Sequence, residues 1–476
     1  MLFVLAAISG HISAQNEKPD SLSESKPNII LIMADDQGWG QTGYYDHPIL
    51  KTPNLNDMAN NGLQFNRFYA GAPVCSPTRA SVLTGRSNDR SAVYTHGYAL
   101  RRQEKTIAQA LKNAGYKTAH FGKWHLNGLQ GPGVPIFKSD KCSPGAFGFD
   151  YWLSTSNYFD INPIMSRNGN FEEIQGESSA IIVNEALQFM EREKNNDQPL
   201  FVVIWYGSPH GPWKAEERAK KGFEDLKATH QEHYGELVAM DESVGSLRKG
   251  LRNMGIGHNT LVWFNSDNGG LKAFGPETVN GLKGYKGEMY EGGLRVPAII
   301  EWPAMIKKGQ ITDFPAVTMD IFPTVADIIG LPNSSMVHPI DGTSLKPLFQ
   351  KDIKSRTKPI PFRMRAEGAW IDNHYKLVIK DIDKSSYELY HLKTDPDESD
   401  NLIDRETEIA HNMIKAFSEW HSSVESSVKG NDYAGGLSQP DIGRILWTKS
   451  PEYLPYFKAW SKRPEYKKKL KKFNQE

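Results

Sequence analysis

Two pairs of oxygen-bearing residues, Asp35-Asp36 and Asp267-Asn268, each stand at or just after the end of a short apolar run in this 476-residue chain. Carboxylate and amide oxygens suit a hard cation, Ca²⁺ with Mg²⁺ as the alternative, and disfavour zinc. Two further runs end in Gly122-Lys123-Trp124-His125 and Ser208-Pro209-His210-Gly211, and Lys286 and Arg295 follow later. A metal with several cations around one pocket suits an anionic group whose oxygens gain charge in the transition state. Taken singly, each piece has a plainer reading. Asp-Asp after a strand is often a turn or cap, Asp267-Asn268-Gly269-Gly270 can be only a tight turn, and His210, Lys123 and His125 can be ordinary loop residues. The joint placement carries the inference, because unrelated turns have no reason to share it.

A fifth segment, Cys75-Ser76-Pro77-Thr78-Arg79, opens a stretch closed by Gly85-Arg86. Pro77 near its start and Gly85 at its end bracket a helix of about two turns. Cys75 then sits at the helix N-terminus, where the dipole favours negative charge. That makes it an activated cysteine or part of an anion site, against the plainer reading of a buried structural thiol.

These groups need strands to carry them to one place. Residues 28–34 (NIILIMA), 117–121 (KTAHF), 200–206 (LFVVIWY) and 260–264 (TLVWF) read as strands, while 106–114 and 234–254 show helical spacing and stop at Gly115 and Gly255. Fully apolar strands alternating with amphipathic helices predict a large, mainly parallel α/β sheet covered on both faces. Ligands in such sheets bind beyond the carboxyl ends of the strands. The expected boundaries are 28–355 for this domain and 356–425 for a smaller α+β subdomain. The subdomain holds a strand at 375–379 and a closing helix near 406–420. Tyr151-Trp152 and Tyr158-Phe159 are read as aromatic loops.

The ends and the composition bound the rest. Residues 1–15 resemble a secretory signal and 16–27 a polar linker, which predicts a secreted or periplasmic protein. No other stretch is long and apolar enough to span a membrane. Lys+Arg and Asp+Glu both total 56, so no global charge argues for nucleic acid. Two cysteines allow one disulfide at most. Residues 458–476 carry eight Lys/Arg against two acids, with aromatics between them, and read either as a solvated helix face or as a basic surface for a polyanion.

The segment CSPTRASVLTGR resembles the C-x-P-x-R motif of the type I sulfatases, members of the alkaline-phosphatase-like superfamily. NIILIMADDQGWG, GKWHL, SPHGPW, SDNGG, KGEMYEGGLRVP and ELYHLKTDPDESDNL resemble further segments of that family, so the likeness runs from about residue 27 to 402. The motif is the recognition sequence of the enzyme that oxidises the cysteine to Cα-formylglycine, which makes that maturation enzyme an implied partner. The resemblance implies that Asp35, Asp36, Asp267, Asn268 and the modified Cys75 bind Ca²⁺. It implies that Arg79 holds the formylglycine hydrate, Lys123 and Lys286 contact sulfate oxygens, His125 serves the hydrate hydroxyl, and His210 is the general acid at the leaving oxygen. Arg295 is read as supporting its loop. An aldehyde hydrate offers two hydroxyls on one carbon: one attacks sulfur, and deprotonating the other expels sulfate.

The implied activity is hydrolysis of sulfate esters on a sulfated carbohydrate, with Arg101 and Arg102 expected to contact an anionic sugar. Two alternatives stay open. One is a phosphonate monoester hydrolase or phosphodiesterase of the same superfamily. The other is a non-catalytic protein that binds sulfated glycans. With Cys75 as the modified residue, Cys142 is expected to be a lone structural thiol.

Overall fold

The computed structural model describes residues 26–471. The signal-like segment and nearly all of the linker lie outside the described residues, as do the last five.

The strand Asn28–Ala34 is the axis of the molecule. It pairs in parallel with Leu200–Trp205 on one side and with Thr260–Ser266 on the other. Lys117–Lys123 adds in parallel beyond Leu200–Trp205, and Tyr151–Thr155 adds in parallel beyond that. The segment expected to be an aromatic loop at 151 is therefore a strand; the polar Ser-Thr that follows the aromatics hid it. Past Thr260–Ser266 the chain reverses. Arg295–Glu301 runs antiparallel, and Leu63–Tyr69 runs antiparallel to it in turn, which restores the common direction. Shorter strands extend both edges into an eleven-stranded mixed sheet among the described residues.

Why this sheet is covered on both faces follows from the period of two. Ile29, Leu31 and Met33 point into one core, with Val82 and Leu83 of the helix Cys75–Thr84 and Phe322 and Val325 of Ile321–Ile329. Ile30, Ile32 and Ala34 point into the other, with helices Ser178–Glu193 and Ala228–Asn253. None of the six strand residues is more than 3% exposed. Each Leu or Ile removed from water contributes about 1.5–3 kcal/mol, so no register slip of this strand is tolerable. The helix expected over 106–114 spans Ile107–Asn113 and starts with a reciprocal Thr106/Gln109 capping box.

A separate four-stranded antiparallel sheet, Ile360–Met364 through Ser386–His391, packs against the helix Thr407–Val428. The chain then returns to the segment after Lys117–Lys123, where Ile445–Leu446 pairs with Leu129–Gln130 in a separate two-stranded parallel sheet. Trp447, Tyr453, Phe457, Trp460, Tyr466 and Leu470 bury themselves against Leu129, Val134 and Ile164. The basic C-terminus is thus not a helix with one solvated face. Among the described residues its lysines face solvent, while Trp460 and Tyr466 belong to that buried cluster. Cys75 and Cys142 are buried free thiols.

Candidate active site

Every strand that carries a predicted site residue ends at the same edge of the sheet. Asn28–Ala34, Lys117–Lys123, Leu200–Trp205 and Thr260–Ser266 are mutually parallel neighbours, and Leu63–Tyr69, which feeds Cys75, shares their direction. Arg295–Glu301 is antiparallel, so the loop preceding it, with Lys286, arrives at that edge as well.

Backbone bonds continue the ladder into the polar clusters. Asp267 N–H donates to Ala34 O at 3.1 Å, Asp35 N–H to Ser208 O at 3.0 Å, and His125 N–H to Ser156 O at 3.0 Å. Asp36 (φ 71°) and His125 (φ 56°) take left-handed backbone conformations that side-chain-bearing residues rarely adopt, a strain found where a site dictates geometry. Gly269 is required by a close approach: a Cβ there would lie 1.8 Å from Gly292 O. That contact seats the Asp267–Gly270 turn on the Glu291–Leu294 helix. Lys286 N–H donates to Gly270 O and Gly287 N–H to Pro73 O, which ties together the loops bearing Asp267, Lys286 and Cys75.

Cys75 opens the ten-residue helix Cys75–Thr84, which ends at Gly85 in the left-handed conformation. Arg79 follows one turn later on the same face. Its guanidinium donates to Asp267 Oδ2 at 2.8 Å and to Lys123 O at 3.0 Å, and lies 5.1 Å from the Trp205 ring centroid. Lys123 Nζ is 2.6 Å from Asp35 Oδ2, and Lys286 Nζ is 2.5 Å from Asp36 Oδ1, which also accepts from Asn268 Nδ2 at 2.9 Å. One ligand atom each from Asp35, Cys75 and Asp267 falls within 4.8 Å of the others, as do those of Asp35, Asp36 and His210.

These carboxylates are buried together, and the electrostatics show the crowding. Burial first, and then the charge of Asp35, push the Asp267 carboxyl up to about 7. Burial works to raise Asp36 as well, but Lys286, His210 and Asn268 hold it below the usual carboxylate range. Asp35 Oδ1 and Asn268 Oδ1 are buried oxygens without a hydrogen-bond partner. The oxygens of Asp35, Asp36, Asp267 and Asn268, two of them orphaned acceptors, fit a divalent hard cation. Burial also raises the Cys75 thiol, against the pull of Lys123 and Lys286. His125 is pushed well below its ordinary value by burial and then by Lys123; its Nδ1 has no partner.

His210 Nδ1 lies 2.6 Å from Gly211 O, so it is the protonated nitrogen, and Nε2 stands 3.9 Å from Asp36 Oδ2. Tyr158 stacks on the His210 ring at 4.6 Å and 12°. Sequence spacing could not reveal that partner, because the two residues come from different strand ends. Arg295 supports its loop, donating to Asn66 O and covering the Trp39 ring at 4.1 Å.

Arg101 is not brought into this cluster. It is 4% exposed and holds Asp441 at 2.7 Å together with the carbonyls of Ser427 and Val428. The guanidinium expected to face a sugar instead fastens the C-terminal segment. Arg102, half-buried, lines a small cavity beside it with residues 438–442.

A family model described as Sulfatase matches residues 27–331. The chain belongs to the sulfatase family. Its type I motif and its alkaline-phosphatase-like fold agree with that membership. A second model, N-sulphoglucosamine sulphohydrolase, C-terminal, matches residues 284–422 of this chain. N-acetylgalactosamine-6-sulfatases of Canis lupus familiaris and Homo sapiens are 34% and 33% identical over 356 residues, 67% of this chain. The chain spans 65% of the length of those relatives. An ulvan-active sulfatase of Formosa agariphila is 28% identical over 351 residues, 68% of this chain and 65% of its own. The fold is shared with the crystal structure of Ps i-CgsB in complex with k-i-k-neocarrahexaose, at a TM-score of 0.75 and 24% identity over 94% of this chain and all of that chain.

Proposed function

We propose that this sulfatase hydrolyses sulfate esters of a carbohydrate, using Cys75 after its conversion to Cα-formylglycine and a divalent cation, Ca²⁺ by preference. The observation that carries the proposal is Cys75 itself. It heads a C-S-P-T-R motif and places its sulfur among Asp35 and Asp267. Its burial raises the thiol pKa, so an unmodified cysteine would be mostly protonated and a poor nucleophile.

Asp35, Asp36, Asp267 and Asn268 would hold the cation, which when bound supplies positive charge that polarises the sulfate and acidifies a hydroxyl. Lys123 and Lys286 stand on Asp35 and Asp36 and would donate to sulfate oxygens. Arg79, fixed by Asp267 and Trp205, would orient the modified residue. His125, with its free Nδ1, would exchange a proton with that residue's hydroxyl. His210, with Nδ1–H kept on Gly211 O, would have to take up a second proton on Nε2, against burial and Lys286, which push its pKa down to about 3. It would then pass that proton to the leaving oxygen, a step that matters most for a sugar alcohol, which leaves poorly.

We extend the proposal to export, with residues 1–15 as a signal, and to the domain boundaries 28–355, 356–425 and 426–476. Among the described residues no helix is long and apolar enough to cross a membrane.

The test has two arms. Peptide mass spectrometry of protein from its native host should find Cys75 lighter by ~18 Da, outside the ordinary thiol oxidation ladder. Turnover should favour sulfated oligosaccharides over phosphodiesters. A Cys75 that stays a thiol while glycan binding persists would support the non-catalytic alternative. A clear preference for the diester would support the phosphodiesterase.

A further inference from the structure

Beside the leaving-oxygen side of the site lies a cleft of ≈ 680 Å³, built mainly by three segments remote in sequence, with Gly133 and Glu173 completing it. That is within the range of small-molecule pockets, about 300–1,000 Å³. Tyr158 and Phe159 come from the loop after the Tyr151–Thr155 strand, Trp213 from the loop after His210, and Lys462 and Tyr466 from the C-terminal segment. The two family models end at residues 331 and 422, so the last wall lies outside both matches.

The cleft and the candidate active site share a wall. Tyr158 lines the cleft and stacks on His210 at 4.6 Å, and Trp213 donates to Pro209 O one residue before His210. Aromatic faces with a few polar groups match the C–H faces and hydroxyls of a pyranose ring. Most of the charged side chains around the cleft are paired with one another. Arg463 is taken by Glu173 and Glu465, and Lys214 by Glu232. Asp160 is pushed up to about 8, by burial and then by Glu177, so it is largely uncharged at neutral pH. Lys462, exposed at the rim, makes no ion pair among the described residues. Of the three cations that line the cleft, it alone is unpaired among the described residues.

We infer that this cleft is a carbohydrate subsite for the ring joined to the sulfated one, with Lys462 taking that neighbouring ring's anionic substituent, a sulfate or a carboxylate. The inference rests on the sulfatase reading. It separates from that reading because it concerns only the second ring.

The experiment compares wild type with Lys462→Glu and Lys462→Arg on four substrates. These are a sulfated monosaccharide and disaccharides whose second ring carries a sulfate, a carboxylate or neither. Lys462→Glu should lower kcat/KM about tenfold through KM on the disaccharides with a charged second ring, since it turns an attraction into a repulsion. The monosaccharide and the uncharged disaccharide should change less than about twofold, as expected for a rim residue away from the chemistry. Lys462→Arg should restore the loss. A loss confined to one charged disaccharide identifies the substituent. Equal losses on all substrates, or none on any, would overturn the inference. Calorimetry with the charged disaccharides and Cys75→Ala protein reads the same contact without turnover. If no sulfate ester is hydrolysed, the functional proposal fails, while about tenfold weaker binding on adding Lys462→Glu still supports the subsite. Unchanged binding overturns it.

Discussion

His210 is the residue whose surroundings constrain its chemistry most tightly. Its Nδ1 proton is committed to Gly211 O, Tyr158 covers one ring face, and Nε2 alone points toward the acids. If it protonates the leaving oxygen, His210→Ala should cut kcat on an unactivated sugar sulfate by about 10²–10⁴. An aryl sulfate with an acidic phenol needs little such help, so its loss should be far smaller; equal losses would remove the role. His233 offers a test of stability. It is wholly buried, stacked on Phe274 at 3.8 Å and bonded to Gln41, and burial brings its pKa down to about 3. Unfolded, it would titrate near 6.5. Between pH 6.5 and 3 the unfolded chain therefore binds a proton that the native protein excludes. Stability linked to this group is full above 6.5 and is lost as pH falls. Relative to His233→Gln, wild type should lose up to about 1.4 kcal/mol per pH unit in that window. Parallel denaturation profiles for the two proteins would rule this out. At this scale the sequence exposes identities but not partners. Asp35, Asp36, Asp267 and Asn268 were legible because each stands where a strand ends. Arg101 was misread because Asp441, its partner, is remote along the chain.

The elements were legible where burial is complete on both faces. The strands Asn28–Ala34, Leu200–Trp205 and Thr260–Ser266 are unbroken or nearly unbroken apolar runs, and an apolar run between turn residues reads directly as a central parallel strand. Leu63–Tyr69 (LQFNRFY) and Arg295–Glu301 (RVPAIIE) were missed, since polar residues and Pro297 interrupt them. The smaller sheet acts on the site through one buried cluster. Lys376 pairs with Glu291 at 3.0 Å and with Glu398 at 2.9 Å, and Glu398 also accepts from Glu291 N–H. Glu291 begins the short helix on which the Asp267–Gly270 turn rests. Removing the cation strands two carboxylates in the interior, so Lys376→Met should destabilise by about 3–5 kcal/mol in chemical denaturation. Adding Glu291→Gln and Glu398→Gln should recover part of that loss. Without recovery, the cost would lie in packing and not in charge.

Over the whole molecule, equal totals of acid and base conceal a chain that folds back on itself through charge and then through aromatic packing. Arg86 pairs with Asp432, Tyr433 OH donates to Glu104, and Arg101 grips Asp441. Ile445–Leu446 then joins Leu129–Gln130, and the cluster around Trp447 closes over Val134 and Ile164. The route could not be read from the sequence. Its aromatics follow neither period, and its lysines look like a solvated face. It delivers Lys462 and Tyr466 to the rim of the cleft beside His210. Trp447 is 1% exposed at the centre of that cluster, and Trp370 is 8% exposed in the unrelated core beneath the helix Thr407–Val428. Truncating either to Ala should cost about 3–5 kcal/mol and lower Tm. Only Trp447→Ala should raise KM for a charged disaccharide, because it loosens the segment that carries Lys462. Trp370→Ala should leave that KM as it is. The two variants, matched in Tm loss and measured well below it, separate a local effect from general destabilisation. If both raise KM alike, the C-terminal segment closes the fold and has no part in holding substrate.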